Sequence, residues 1–241
     1  MEARACARNQ IGGYAVLAGQ GVTGFVRQGR AWILTTIIVI AFCMASYWFF
    51  DRPLALYLRT IGPGLHDVFV MVNRLGVSTP YLVLSAAAFL VLRYVWRRQR
   101  GALIALFLFL ALVLSGIIDV ALKAVLGRAR PKLLFNDHIY GFKFLQTQAD
   151  WVSFPSGHAT TVAALGLALI LVWPRTRLVV GLLALAVILG RVIVDAHFLS
   201  DAVAGAFLGI ASTVFLREVF SASGFDPATL LCTAATASVP R

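Results

Sequence analysis

The chain has 241 residues, of which 60% are hydrophobic and 13% charged, and its mean hydropathy is +0.87. Soluble domains carry ~25% charge and ~45–50% apolar residues, so a soluble globular protein and a disordered chain are both excluded and an integral membrane protein remains. The net charge of +11, from 21 Lys and Arg against 10 Asp and Glu, fits either a nucleic-acid binder or the arginine excess of cytoplasmic loops. In chain order, six stretches reach the ~20 apolar residues that a bilayer crossing takes: 32–50, 79–96, 102–126, 156–173, 178–194 and 200–216. The sequence therefore predicts an all-α fold, a six-transmembrane-helix bundle over residues 32–220. A cytoplasmic tail, 1–31, precedes it, and a poorly ordered cytoplasmic tail, 221–241, follows. Trp32, Trp48, Trp96, Trp151 and Trp173 all fall at or beside a predicted boundary, where an amphipathic ring sits at headgroup level.

The connections decide the orientation. The N-terminal tail, the second connection, the fourth connection and the C-terminal tail together hold twelve of the 21 Lys and Arg, which places both termini in the cytoplasm. The odd-numbered connections then face outward. The first, 51–77, has leucines and valines at Leu54, Leu56, Leu58, Leu65, Val68 and Val70 and is read as an interfacial helix. The third, near 127–155, is long for a loop without structure of its own. Its Phe135, Tyr140, Phe142 and Phe144 mark it as a segment lying on the membrane or over a site as a lid. Cys6, Cys43 and Cys232 have neither metal-ligand nor disulfide spacing. Ser156, Thr160, Ala164 and Ala168, and Gly205 with Gly209, repeat small residues every four positions, the pattern of closely packed membrane helices.

Ionisable groups at membrane depth are costly and so point to function. Lys123, Arg130, Ser156, His158, Arg191, His197 and Asp201 all fall at the outer ends of predicted spans, although they come from three separate stretches. Lys123, Arg130 and Arg191 supply cations, two of them with the planar fork that matches phosphate oxygens. Ser156-Gly157-His158 opens a helix, whose first N–H groups form an anion site, and Gly157 admits a ligand close to the backbone. His197 and Asp201 are four residues apart. A carboxylate there can hold one ring nitrogen and leave the other to attack, while His158 protonates the leaving alkoxide. No carboxylate cluster is at hand for divalent metals, since only Asp201 and Asp195 lie near, so the expected chemistry is metal-independent phosphoryl transfer without a cofactor. Asp119 precedes Lys123, and Asp195 follows Arg191, by four residues, so each cation also has a local ion-pair partner within reach. His66 and His138 fit no motif and are read as solvated loop residues.

Lys123-x6-Arg130-Pro131, Pro155-Ser156-Gly157-His158 and Arg191-x5-His197-x3-Asp201 together resemble the three-part signature of the type 2 phosphatidic acid phosphatase superfamily, in its membrane lipid phosphate phosphatase branch. A boundary histidine taken alone is commonly just an interfacial polar residue; three motifs in order are specific. The resemblance covers about residues 119–216. It implies His197 as a nucleophile that forms a phosphohistidine, Asp201 as its orienter and His158 as acid and then helper of water. It assigns phosphate binding to Lys123, Arg130, Ser156, Gly157 and Arg191. One departure stands out: the family usually has Ser before the third-motif arginine, and here it is Gly190. The implied protein sits in a bacterial inner membrane with its site on the periplasmic face. Its substrate is a membrane lipid phosphomonoester or pyrophosphate; no nucleic-acid partner is expected, and the sequence does not indicate an oligomeric state. A phosphotransferase using the same intermediate, a vanadate-dependent oxidation site and a non-catalytic lipid-phosphate binder are the competing readings. The charge thus divides into an orientation signal and an anion pocket.

Overall fold

The computed structural model describes residues 22–60 and 62–227. Its helices, in order, are α1 Val22–Phe49, α2 Asp51–Leu58, α3 Pro63–Asn73, α4 Ser78–Leu90, α5 Gln99–Leu126, α6 Pro131–Asp137, α7 Gly157–Val172, α8 Arg177–Ile193 and α9 Leu199–Ala222. Among the described residues there is no strand, and one isolated bridge pairs Arg128 with Phe142.

Each predicted span has its helix. α1 starts at Val22, inside the stretch read as tail, and α9 runs past 216 to Ala222. A π-helical turn, Val91–Val95, extends α4. Five stretches are long and apolar enough to cross a membrane: Gly29–Phe49, Gly64–Val95, Gln99–Leu126, Pro174–Ile193 and Leu199–Ala222. The sixth, α7, is apolar but has 16 residues. The connection 51–77 is helical as α2 and α3, which a 3-10 turn at Arg74–Gly76 joins to α4. The connection 127–155 carries α6 and folds back on itself: the Ala129 N–H bonds to the Gly141 carbonyl at 3.0 Å and the Lys143 N–H to the Gly127 carbonyl at 2.7 Å. Gly127, left-handed at φ 55°, ends α5, and Pro131 at the first position starts α6. The expected poor order of residues 221–241 falls mainly on positions outside those described.

α7 is the centre of the bundle. It packs against α9, α5 and α8, while α9 also meets α1 and α5. The small residues explain the central seam. A Cβ at Gly205 would lie 2.4 Å from the Ser156 carbonyl oxygen, and one at Gly209 2.4 Å from that of Thr160. α9 and α7 therefore touch backbone to backbone, as the four-residue spacing predicts. Outer faces are apolar: Ile37 and Ile38 on α1, Leu84 on α4 and Leu182 on α8 are exposed. Trp48, Trp96 and Trp173 are exposed at helix ends, as an aromatic belt requires.

Candidate functional site

The site forms where the end of α5, the start of α7 and the α8–α9 connection converge. Lys123, in the last turn of α5, pairs with Asp119 one turn earlier; Asp119 also accepts a hydrogen bond from Thr160 Oγ1 of α7 at 3.3 Å. A Cβ on Gly157 would sit 3.0 Å from Lys123 Nζ and 3.2 Å from Asp119 Oδ2. The absent side chain lets the N-terminus of α7 close on the lysine head. Ser156, extended at φ −79° and ψ 112°, caps α7. Its N–H donates to the Asp201 carbonyl at 3.0 Å, which fastens this helix start to that of α9. The first N–H groups of α7 have no carbonyl partner within their own helix and carry its positive dipole end.

His197 lies in the α8–α9 connection and is 4% exposed. Its Nδ1–H donates to the Ser153 carbonyl at 2.8 Å, so Nε2 is the nitrogen left for chemistry. Asp201 Oδ2 is 3.6 Å from Nδ1; it accepts the Ser153 hydroxyl at 2.6 Å and the Phe198 N–H at 3.0 Å. Asp201 thus acts on His197 by charge and through Ser153 rather than by a direct short bond. Burial pushes the imidazole down to about 4, and the Arg191 and Arg130 charges act in the same direction against the Asp201 carboxylate. The ring is therefore neutral at pH 7. Asp195, next to this segment, carries a carboxyl raised above its ordinary range by burial, and forms no ion pair with Arg191.

The sequence-expected cations do meet here. Arg130 and Arg191 each keep a buried Nε without a partner, as does the Ser156 hydroxyl. Buried donors left unpaired are uncommon in proteins, and each of these is free to meet an anion. A polar cavity of about 330 Å³ is lined by Arg130, Lys132, Asp150 and Asp195. A larger apolar one, about 810 Å³, runs from Asp119, Gly157 and His158 along Val77, Leu82, Leu112, Gly116 and Val120, between α4 and α5.

Beneath the site lies a group that sequence reasoning missed. Arg128, 1% exposed, donates from Nη2 to Asp51 Oδ2 at 2.7 Å and to the Tyr140 hydroxyl at 3.2 Å, and from Nη1 to Asp201 Oδ1 and to the Ser200 hydroxyl at 2.6 Å. Its guanidinium stands 4.6 Å from the Phe198 ring centroid and 5.2 Å from that of Tyr47. Burial alone would weaken this cation; Asp201 and Asp51 outweigh it and hold the charge. Asp51 also accepts the Ser46 hydroxyl at 2.7 Å and the Ser200 N–H at 3.1 Å. Arg128 thus fixes the Asp201 carboxylate from below. The only sequence signal was its position, two residues before Arg130.

The model of the PAP2 superfamily matches residues 104–225, from α5 to just past α9. The chain belongs to the PAP2 superfamily. Within it, the chain is 42% identical over 123 residues to a lipid A 1-phosphatase of Rhizobium etli and 38% identical over 123 residues to one of Rhizobium johnstonii. The matches cover 50% of this chain, and 52% and 50% of those relatives, so the aligned part spans about half the length of each. Among solved structures, Aquifex aeolicus LpxE superposes with a TM-score of 0.53 at 21% identity, over 69% of this chain and 93% of that one. A PAP2-type phosphatidylglycerolphosphate phosphatase from Bacillus subtilis gives 0.52 at 19%, over 79% and 96%. At these identities the likeness is one of PAP2 fold.

Proposed function

We propose that this PAP2 superfamily member is an integral membrane lipid phosphate phosphatase that works through a phosphohistidine and without a metal. The observation that carries the reading is a neutral, buried His197 with Nδ1 engaged, set beside the unpartnered donors of Arg130, Arg191 and Ser156. Those donors, with Lys123 and the N–H groups of Gly157 and His158, would take the phosphate oxygens and stabilise their charge in the transition state. His197 Nε2 attacks phosphorus as the bond to the lipid oxygen breaks, and His158 gives that oxygen its proton. Water then loses a proton to His158 and displaces the histidine, releasing phosphate. Asp201 keeps the His197 ring oriented.

The apolar cavity between α4 and α5 supports a lipid substrate whose chains remain in the bilayer while the phosphate reaches His158. Because the Rhizobium relatives are lipid A 1-phosphatases, the 1-phosphate of lipid A is the first substrate to test. Phosphate release from lipid A, phosphatidic acid, phosphatidylglycerol phosphate and a polyprenyl pyrophosphate should single out one class, with the rate kept in excess chelator. Release from none would refute the hydrolase. Loss in chelator that added metal restores would refute the metal-free step.

We also infer six spans, with both termini cytoplasmic and the site at the periplasmic face of the inner membrane. α7 at ~1.5 Å per residue is ~24 Å long against a ~30 Å hydrocarbon core, so its N-terminal site sits slightly within the membrane rather than on top of it. In intact cells a membrane-impermeant thiol reagent should label a cysteine at Lys143 and spare one at Arg97. The reverse pattern would invert the topology.

A further inference from the structure

Asn73 ends α3, is 5% exposed, and has neither Oδ1 nor Nδ2 paired with any protein atom. A buried amide with both ends unsatisfied is destabilising, so its position requires an explanation. Two close approaches locate it. A Cβ on Gly190 would fall 2.9 Å from Asn73 Oδ1 and 2.8 Å from Phe69 Cδ1, and one on Gly76 would fall 2.6 Å from His158 Cδ2. The short turn 73–76 therefore runs from the residue beside Arg191 to His158, and Arg191 Nε is itself unpartnered. The space next to Gly190 is taken by the Asn73 amide.

We propose that Asn73 is a phosphate-binding residue, its Nδ2–H group donating to the phosphate oxygen held by Arg191. The donor comes from the end of α3, far from the third motif in sequence. This inference rests on the phosphatase reading. It accounts for Gly190, which any side chain would drive into Phe69 and Asn73, and for the unpaired amide, which is waiting for an anion.

The test uses the full chain in detergent, with orthovanadate as the phosphate probe. Asn73→Ala should weaken vanadate binding and lower kcat/KM by about 10- to 100-fold, as loss of a hydrogen bond to a charged group does. Asn73→Asp, of the same shape, should be worse, because its carboxylate repels the anion. The thermal midpoint of the ligand-free Asn73→Ala protein should be unchanged or higher, since an unsatisfied amide has been removed. Asn73→Asp binding vanadate as tightly as wild type, or affinity lost only in step with thermal stability, would overturn the role of Asn73 alone. Failure of the unmodified chain both to bind vanadate and to release phosphate would overturn the phosphatase reading, and this proposal with it.

Discussion

His197→Ala is expected to lower phosphate release by on the order of 10⁴-fold or more, as loss of a nucleophile does, while lipid binding persists. The two effects separate because the imidazole is neutral and adds no charge to the pocket. Lys123, Arg130 and Arg191 remain to hold the phosphate. The Ser153 hydroxyl, 3.4 Å from Nδ1, does not replace Nε2, because it is engaged with Asp201. The measurement is initial rate together with rapid acid-free quenching of enzyme mixed with ³²P-labelled lipid. Wild type should carry label that is lost in acid, the lability of a P–N bond, and the variant should carry none. Unchanged turnover in the variant would remove His197 from the nucleophilic role. Loss of lipid binding along with turnover would show instead that the ring is part of the binding surface.

The second large effect concerns stability. Arg128→Met removes the guanidinium that bridges Asp51 and Asp201, both fully buried, and leaves two buried carboxylates with hydrogen-bond donors but without that counter-charge. Breaking a buried ion pair from one side costs about 3–5 kcal/mol, a large share of a typical folding free energy. The expected result is a marked fall in thermal midpoint in detergent and a large loss of monodisperse protein. Asp51→Asn added to Arg128→Met should recover part of the loss, because one stranded charge is gone. Arg128→Lys should recover little, since a point charge cannot fork to both carboxylates. A midpoint within experimental error of wild type for Arg128→Met would show that the bridge contributes nothing net.

The contrast between these residues explains what was legible in the sequence. The long apolar runs could be read because burial in lipid demands them: among the described residues five of the six stretches overlap helices long enough to span, and the sixth falls on the 16-residue α7. The start of α7 was legible because Pro155, Ser156 and Gly157 mark a helix entry by their own chemistry. The site residues proposed from the motifs are brought together where α5, α7 and the α8–α9 connection meet. Arg128 was not legible, because an arginine in a loop reads alike whether solvated or sealed under aromatic rings. Asp51 stands 77 residues from Arg128 in sequence, and no spacing rule joins positions in different elements. Asn73 was hidden for a related reason: an asparagine at a helix end is usually a cap or a turn residue, and only tertiary packing shows its amide unpaired. Gly190 was visible as a departure from the family, but its partner was not.

The α7–α9 seam has a consequence for motion. Because Gly205 and Gly209 set the two backbones in contact, and Ser156 is bonded to Asp201 across them, the segments bearing His158 and His197 move as one body. On the phosphatase reading proposed above, a lipid entering sideways would be admitted by the opposite wall, where α4 leans chiefly on α5. Opening and closing there leaves the distance between the two histidines untouched. On that reading a bulky substrate would exchange without detuning the two proposed catalytic rings.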